Sequence, residues 1–193
     1  EPEKWRNFEV GTKWALAGNR LLFNTAVFHT VKTNARTRNL ANEPYVLDGR
    51  QRVQGIEVGA SGQLSESWIL FASYAYMSSE IEESANPLEQ GRELPLTPEN
   101  TGTLWVDGTV WRGFSDGGGV QYMDSLYRTT TTELRVPSYW LVNATVAYEI
   151  NSHLTLRVNS NNLTNVEYVD RLGGGHYIPG PGRSVQVTTS VGF

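Results

Sequence analysis

The chain has 193 residues, 16 Lys and Arg against 20 Asp and Glu, a formal net charge of −4 and no cysteine. Without a basic run there is nothing to track a phosphate backbone, and without thiols there is no disulfide and no thiolate metal site, so nucleic acid and cysteine-based chemistry drop out. The longest apolar region, Trp68 to Met77, is interrupted by Ser73, far short of the roughly 20 residues of a spanning helix; a membrane β-barrel, which hides its lipid face in alternation, needs no such run.

From the start, Phe8, Val10, Thr12, Trp14 and Leu16 alternate with polar or small residues until Ala17-Gly-Asn-Arg20. This reads as a strand and a tight turn. Leu21, Phe23, Thr25, Val27, His29 and Val31 form one face of a second strand, which dissolves into the polar stretch Thr33 to Pro44. A third strand is expected over about Gly55 to Leu64, and a fourth carries Trp68, Leu70, Ala72, Tyr74 and Tyr76 on one side. After a long acidic segment from Ser78 through Pro98 come a fifth strand near Thr101 to Val110 and a sixth over Gly118 to Tyr127.

Thr129 to Pro137 reads as loop. Trp140, Val142, Ala144, Val146 and Tyr148 then give a seventh strand, and Leu154, Leu156 and Val158 an eighth. A long connection, Asn161 to Gly182, holds Gly173-Gly-Gly175 and Pro179-Gly-Pro-Gly182. In the last eleven residues Val185, Val187, Thr189, Val191 and Phe193 oppose Ser184, Gln186, Thr188, Ser190 and Gly192, the period of a strand with one apolar and one wet face. That makes about nine strands and no helix.

A soluble sandwich has the same alternation. Connection length separates the two: tight near 17, 65, 113 and 151, long near 33 to 44, 78 to 98, 128 to 137 and 161 to 182. Such a rhythm fits an all-β, antiparallel transmembrane barrel with tight periplasmic turns and long extracellular loops. An odd strand number would leave two unpaired edges in hydrocarbon, so the chain is expected to be part of a larger barrel, with a small eight-stranded barrel as the alternative. The opening Glu1-Pro-Glu-Lys-Trp-Arg6 has no signal-peptide core, which suits a mature chain or one that starts inside a longer protein. Glu57, Arg157, Asn159 and Gln186 should face the lumen. Trp14, Trp68, Trp140, Tyr74, Tyr76 and Tyr148 should sit in interfacial girdles in a barrel, or in the core of a sandwich.

Catalytic patterns are weak. His29, His153 and His176 lack ligand spacing, no serine is singled out for a triad, and Asn143-Ala-Thr and Asn162-Leu-Thr read as chance matches to the glycosylation pattern. The triple glycine lacks the strand-turn-helix context of a nucleotide site.

Six fragments in order resemble the TonB-dependent outer-membrane receptors that import ferric siderophores: Arg6-Asn-Phe-Glu-Val-Gly-Thr-Lys-Trp14, Val53-Gln-Gly-Ile-Glu-Val58, Leu96-Thr-Pro-Glu-Asn100, Val136-Pro-Ser-Tyr-Trp-Leu-Val-Asn143, Asn161-Asn-Leu-Thr-Asn-Val-Glu-Tyr168, and Gly182-Arg-Ser-Val with a terminal Phe193. The stretch Gly173 to Arg183 looks most like the catecholate branch. The fourth fragment departs from the pattern, with Asn143 where Asp is commoner. The resemblance implies the C-terminal portion, roughly the last nine strands, of a 22-stranded barrel in the bacterial outer membrane, with the plug and its TonB box outside this chain. It implies no enzymatic activity and no resident cofactor, iron being carried only within the ferric siderophore. Implied partners are the siderophore, TonB, outer-membrane lipid, and the barrel-assembly machinery, with Phe193 as the assembly signal and the C-terminus periplasmic. A small self-contained barrel acting as adhesin, pore or hydrolase is the other reading.

A ferric tris-catecholate is an anion with flat aromatic faces, so its site calls for Arg or Lys and for Tyr or Trp on the long loops. Arg36, Arg38 and Arg92 are candidates. Tyr127, Arg128 and Arg135 are candidates as well, and the favoured stretch is Tyr168 to Arg183, where Gly and Pro shape a long excursion carrying Tyr168, Arg171, His176, Tyr177 and Arg183, with Arg171 and Tyr177 expected to act together.

Overall fold

The computed structural model describes residues 1–41, 45–130, 132–173 and 176–193. Its strands are β1 (Lys4–Leu16), β2 (Leu21–Thr37), β3 (Val46–Gln63), β4 (Trp68–Glu83), β5 (Asn100–Trp111), β6 (Phe114–Met123), β7 (Leu126–Tyr127), β8 (Arg135–Val136), β9 (Tyr139–Asn151), β10 (Leu154–Asn161), β11 (Val169–Gly173), β12 (His176–Pro179) and β13 (Ser184–Val191). Nine of them form one antiparallel sheet in the order β1-β2-β3-β4-β5-β6-β9-β10-β13, with β1 and β13 at its edges. The pairs β7-β8 and β11-β12 stand apart from it. No helix occurs among the described residues.

Backbone chemistry makes the turns short. Leu16 pairs with Leu21 across the four residues Ala17 to Arg20, of which Ala17, Gly18 and Asn19 have positive φ, as a tight hairpin needs. Trp111 pairs with Phe114 around Gly113, whose φ is +71°. At Asn151 the side-chain Oδ1 accepts the His153 N–H at 2.9 Å, an Asx turn.

The register puts the apolar sets of neighbouring strands side by side. Val10 pairs with Val27 and Val27 with Ile56; Leu156 pairs with Tyr148, and Val158 with both Val146 and Val187. These residues nonetheless remain open to the surroundings, Val10 at 73% and Val187 at 63% exposure. No large side chain is fully buried among the described residues. A sandwich core is therefore absent; the sheet presents one continuous apolar wall, as a barrel does to lipid.

Aromatics mark both borders of that wall. Trp68 and Tyr76, Phe114 and Tyr122, and Trp140 and Tyr148 lie eight positions apart on β4, β6 and β9, about 20 Å along the barrel axis at roughly 3.3 Å per residue and 40° tilt. Tyr122 and Trp140 meet ring to ring at 4.6 Å, and Trp14 stacks on Phe23 at 5.4 Å. The opposite face is polar. Asn159 pairs with Gln186 and Thr145, and the Thr145 hydroxyl donates to Asn159 Oδ1 at 2.8 Å. Glu57 and Arg157 fall on this same face by register.

Two expectations need correction. β2, β3 and β4 run well past the borders read from sequence, so that Thr33 to Thr37, Val46 to Gln54 and Ser78 to Glu83 are paired strand rather than loop. Beyond Val31, Gln54 and Tyr76 the strands are mostly polar, and the apolar residues that remain, Ala35 and Ile81 among them, keep no sustained alternation for periodic hydrophobicity to report. Charge holds the extension instead: Arg50 pairs with Glu82 at 2.6 Å, and Arg52 with Glu80 and, at 2.9 Å, with Glu82. The sixth strand also begins earlier and ends at Met123. Of the expected loops, 42–44, Thr131 and the last two glycines of the triplet at 173–175 lie outside the described residues.

Candidate functional site

Three of the long connections meet at one end of the sheet. The segment between β4 and β5 joins the β7-β8 pair through the Leu96 N–H, which donates to the Tyr127 carbonyl at 2.9 Å, and through Arg92, which pairs with Glu133 at 2.8 Å. The β11-β12 hairpin joins through Arg128, whose guanidinium lies 5.0 Å from the centre of the Tyr177 ring. Arg135 lies 4.0 Å over the Tyr127 ring, donates to the Tyr127 hydroxyl and to Ser125 Oγ, and sits 3.7 Å from Glu93. Arg128 with Tyr177 and Arg135 with Tyr127 thus form two cation-ring pairs, brought near each other by the adjacent positions 127 and 128. A polar recess of about 290 Å³ beside them is lined by Arg92, Glu93, Tyr127, Thr129, Thr130 and Glu133.

The hairpin is anchored on the polar face of the sheet. Tyr168 packs on Tyr139 at 4.6 Å between ring centres, and burial, then the charge of Asp170, pushes its phenol above the ordinary value. Its ring fills the place that a Cβ on Gly180 would need, at 2.0 Å, while the Gly180 N–H donates to the Tyr168 carbonyl at 2.8 Å. Tyr168 is therefore a packing residue of the hairpin. Beside Tyr139 a mainly apolar hollow of about 240 Å³ is lined by Leu96, Met123, Val136 and Leu172, with Asp124 and Arg171 also on its wall.

Other candidates are apart from the cluster. Tyr177 pairs with Leu172, whereas Arg171 pairs with Ile178 and His176 with Gly173, so Arg171 and His176 leave the hairpin on the face opposite Tyr177. The expected joint action of Arg171 and Tyr177 has no support in this geometry. Arg171 is 72% exposed in its side chain, 3.6 Å from Asp170. Arg183 stands at the hairpin's neck, its N–H donating to Asn165 Oδ1 at 2.9 Å. Arg36 lies at the end of β2, its N–H donating to Glu3 Oε1 at 3.1 Å, and Arg38, in the connection that follows, stacks on Tyr45 at 3.9 Å. His29 Nδ1 meets Gln54 at 3.2 Å, and Phe193 is fully exposed.

Asn162 is a structural residue that hydrophobic patterning does not single out. It is 3% exposed with φ of +50°; its amide donates to the carbonyls of Val166 and Pro181 at 2.8 and 3.2 Å, and its Oδ1 accepts the Val166 N–H at 2.9 Å. It clamps both ends of the long connection. The signal was its Asn-Asn-Leu-Thr-Asn setting, since Asn tolerates the left-handed region. A saturated, buried amide also argues against a glycan there.

Residues 1–163 match the family model described as TonB dependent receptor-like, beta-barrel. The chain is 30% identical over 187 residues, 92% of its length, to the probable TonB-dependent siderophore receptor PiuA of Acinetobacter baumannii. The PiuA crystal structure superposes with a TM-score of 0.92 over 98% of this chain and 28% of that one, at 29% identity. The closed-form crystal structure of Fiu, described as a ferric-catecholate import receptor from E. coli K12, superposes with a TM-score of 0.89 over 100% of this chain and 28% of that one, at 28% identity. The chain spans about a quarter of the length of these curated relatives, 25% for PiuA and 26% for Fiu. By fold, strand order and family match together, the chain belongs to the TonB-dependent receptor-like β-barrel family.

Proposed function

We propose that this chain is the C-terminal portion of an outer-membrane receptor that imports a ferric siderophore of the catecholate type. The observation that carries the reading is the cluster of Arg128 over Tyr177 and Arg135 over Tyr127 on converging connections. Guanidinium groups supply charge for an anionic complex, and the rings supply flat contacts for its aromatic arms. Glu93 and Glu133 compete for Arg135 and Arg92, so ligand entry exchanges carboxylate partners for catecholate oxygens rather than filling a bare cationic bowl. The catecholate names of the Fiu relatives support the substrate class.

In this reading the long connections are extracellular and the tight turns and C-terminus periplasmic. The two sheet edges, β1 and β13, join further strands, because unpaired backbone groups in hydrocarbon cost several kcal/mol each, of order 2 to 7. The polar face lines a lumen that holds a plug contributed by other parts of the protein, and TonB engages that plug's terminal segment by strand addition. Phe193 serves as the signal read by the assembly machinery. Iron is cargo within the siderophore, not a resident metal.

The test is affinity for a ferric tris-catecholate in the intact receptor carrying Arg128→Ala with Tyr177→Ala. At least a tenfold loss, about 1.4 kcal/mol, is expected with barrel heat resistance retained, and Arg171→Ala is expected to cost less than the pair. Equal affinity of wild type and the double variant contradicts the site.

A further inference from the structure

Polar groups fold the connection between β4 and β5 back onto the end of β4. The Gly91 N–H donates to the Ile81 carbonyl at 2.9 Å, the Ile81 N–H to the Arg92 carbonyl at 2.8 Å, and the Ala85 N–H to the Thr37 hydroxyl at 3.3 Å. Ser84 Oγ accepts the Asn86 N–H at 3.1 Å, and Asn86 Oδ1 accepts the Leu88 N–H at 3.1 Å. Thr37, Ser84 and Asn86 are buried, so breaking these bonds strands polar groups away from water. Surface connections are ordinarily the mobile parts of a fold; this one is tied down along its length.

Glu89 stands at its centre. One carboxylate oxygen accepts the Ser84 hydroxyl at 2.7 Å and the other accepts the Thr130 hydroxyl at 2.8 Å. Half-buried, the group joins two connections through hydroxyls, while Arg92, three positions on, turns to Glu133 instead. The Glu89 carbonyl also accepts the Arg92 N–H at 3.1 Å. Arg92 and Thr130 both line the polar recess of about 290 Å³, and Glu89 lies behind that lining. The ionic ties between the same connections are more open to solvent: Arg92 pairs with Glu133, whose side chain is 76% exposed, and Arg135 lies 3.7 Å from Glu93. Such pairs are weak and screened by salt, and an anionic ligand takes them apart. A hydroxyl donating to a half-buried carboxylate makes a stronger bond, and the ligand leaves it alone.

We propose that Glu89 is a positioning residue of this site: it latches the β4–β5 connection to the one carrying β7 and β8, and so sets the spacing of Arg92 from Tyr127 and Arg128 without touching the ligand. The inference rests on the reading of the site as one for a ferric catecholate. With the latch broken, only a fraction of the receptors holds the binding spacing, and apparent affinity falls by that fraction. The loss then lies in association, whereas a side chain that touches the ligand acts mainly on dissociation.

The experiment is stopped-flow quenching of tryptophan fluorescence by a ferric tris-catecholate in the intact receptor. Glu89→Ala and Thr130→Val should each slow association at least about fivefold, with dissociation within about twofold of wild type. Adding Thr130→Val to Glu89→Ala should slow it no further, because the shared bond is already gone. Glu89→Gln, which keeps an oxygen to accept a hydroxyl, should recover about half of the lost rate or more. Losses that multiply, or faster dissociation at an unchanged association rate, overturn the proposal. Hydrogen exchange of the unliganded receptor tests the latch by itself: segments 84–92 and 125–130 should quicken together in either single variant, and unchanged exchange overturns it. Wild type that fails to bind the ferric tris-catecholate refutes the receptor reading, and exchange then decides the latch.

Discussion

Val187→Arg is the sharpest probe of which face meets lipid. Val191, paired with Leu154 next to the Asn151 turn, marks the turn-side end of β13. Val187 lies four residues from it, about 10 Å up the axis at roughly 3.3 Å per residue and 40° tilt, near the middle of a band about 25 Å tall. Its side chain is 63% exposed on the apolar wall beside Val158. Arginine there should cost about 2 to 4 kcal/mol, a shift of about thirtyfold to several hundredfold in the folding equilibrium. Gln186→Arg, one position away and opposite Asn159 on the polar face, should cost under about 0.5 kcal/mol. Urea titration of the intact receptor refolded into lipid bilayers, followed by tryptophan fluorescence, measures both. Equal losses, or a larger loss at Gln186, would refute the face assignment.

Gly180→Ala drives a Cβ into the Tyr168 ring and should loosen the β11-β12 hairpin by about 1 to 3 kcal/mol, seen as faster proteolysis between residues 162 and 183 while the sheet stays intact. Phe193→Ala should lower the amount of receptor inserted in the outer membrane without changing the siderophore affinity of inserted molecules; unchanged insertion on quantitative blotting removes the assembly role. Asp124 is held below the usual carboxylate range by the Asn100 amide at 2.8 Å, aided by the Ser125 N–H at 2.7 Å, the Tyr122 hydroxyl and the charge of Arg135, against the opposing effect of burial. A depressed folded value means the stabilisation is full at neutral pH and is lost as pH falls below about 4 and through that value. Hydrogen exchange of the β6-β7 connection should quicken over that window in wild type, and Asp124→Asn should flatten the response.

Sequence made the membrane-facing part of the fold legible because lipid imposes one strict rule, alternation. Val185 to Phe193, Leu154 to Val158 and Trp140 to Tyr148 obey it, and their registers follow. The rule lapses where strands rise above the wall: Arg50, Arg52, Glu80 and Glu82 hold β3 to β4 through charge, which has no period to read. Residue type pointed to Arg128, Arg135, Tyr127 and Tyr177, which do come together. Facing was out of reach, because β11 and β12 carry no hydrophobic alternation to read and their register shifts between Val169 and Arg171. Asn162 shows the same limit: its burial depends on Val166 and Pro181, the latter nineteen positions away.

The most direct measurement of the central claim is uptake of radioactive iron, supplied as a ferric tris-catecholate, by cells that depend on the intact receptor containing this chain. Uptake should require both the receptor and TonB, and should fall at least tenfold at limiting ligand with Arg128→Ala and Tyr177→Ala at equal surface abundance. Uptake that persists without the receptor or without TonB, or that ignores the double variant, would contradict it.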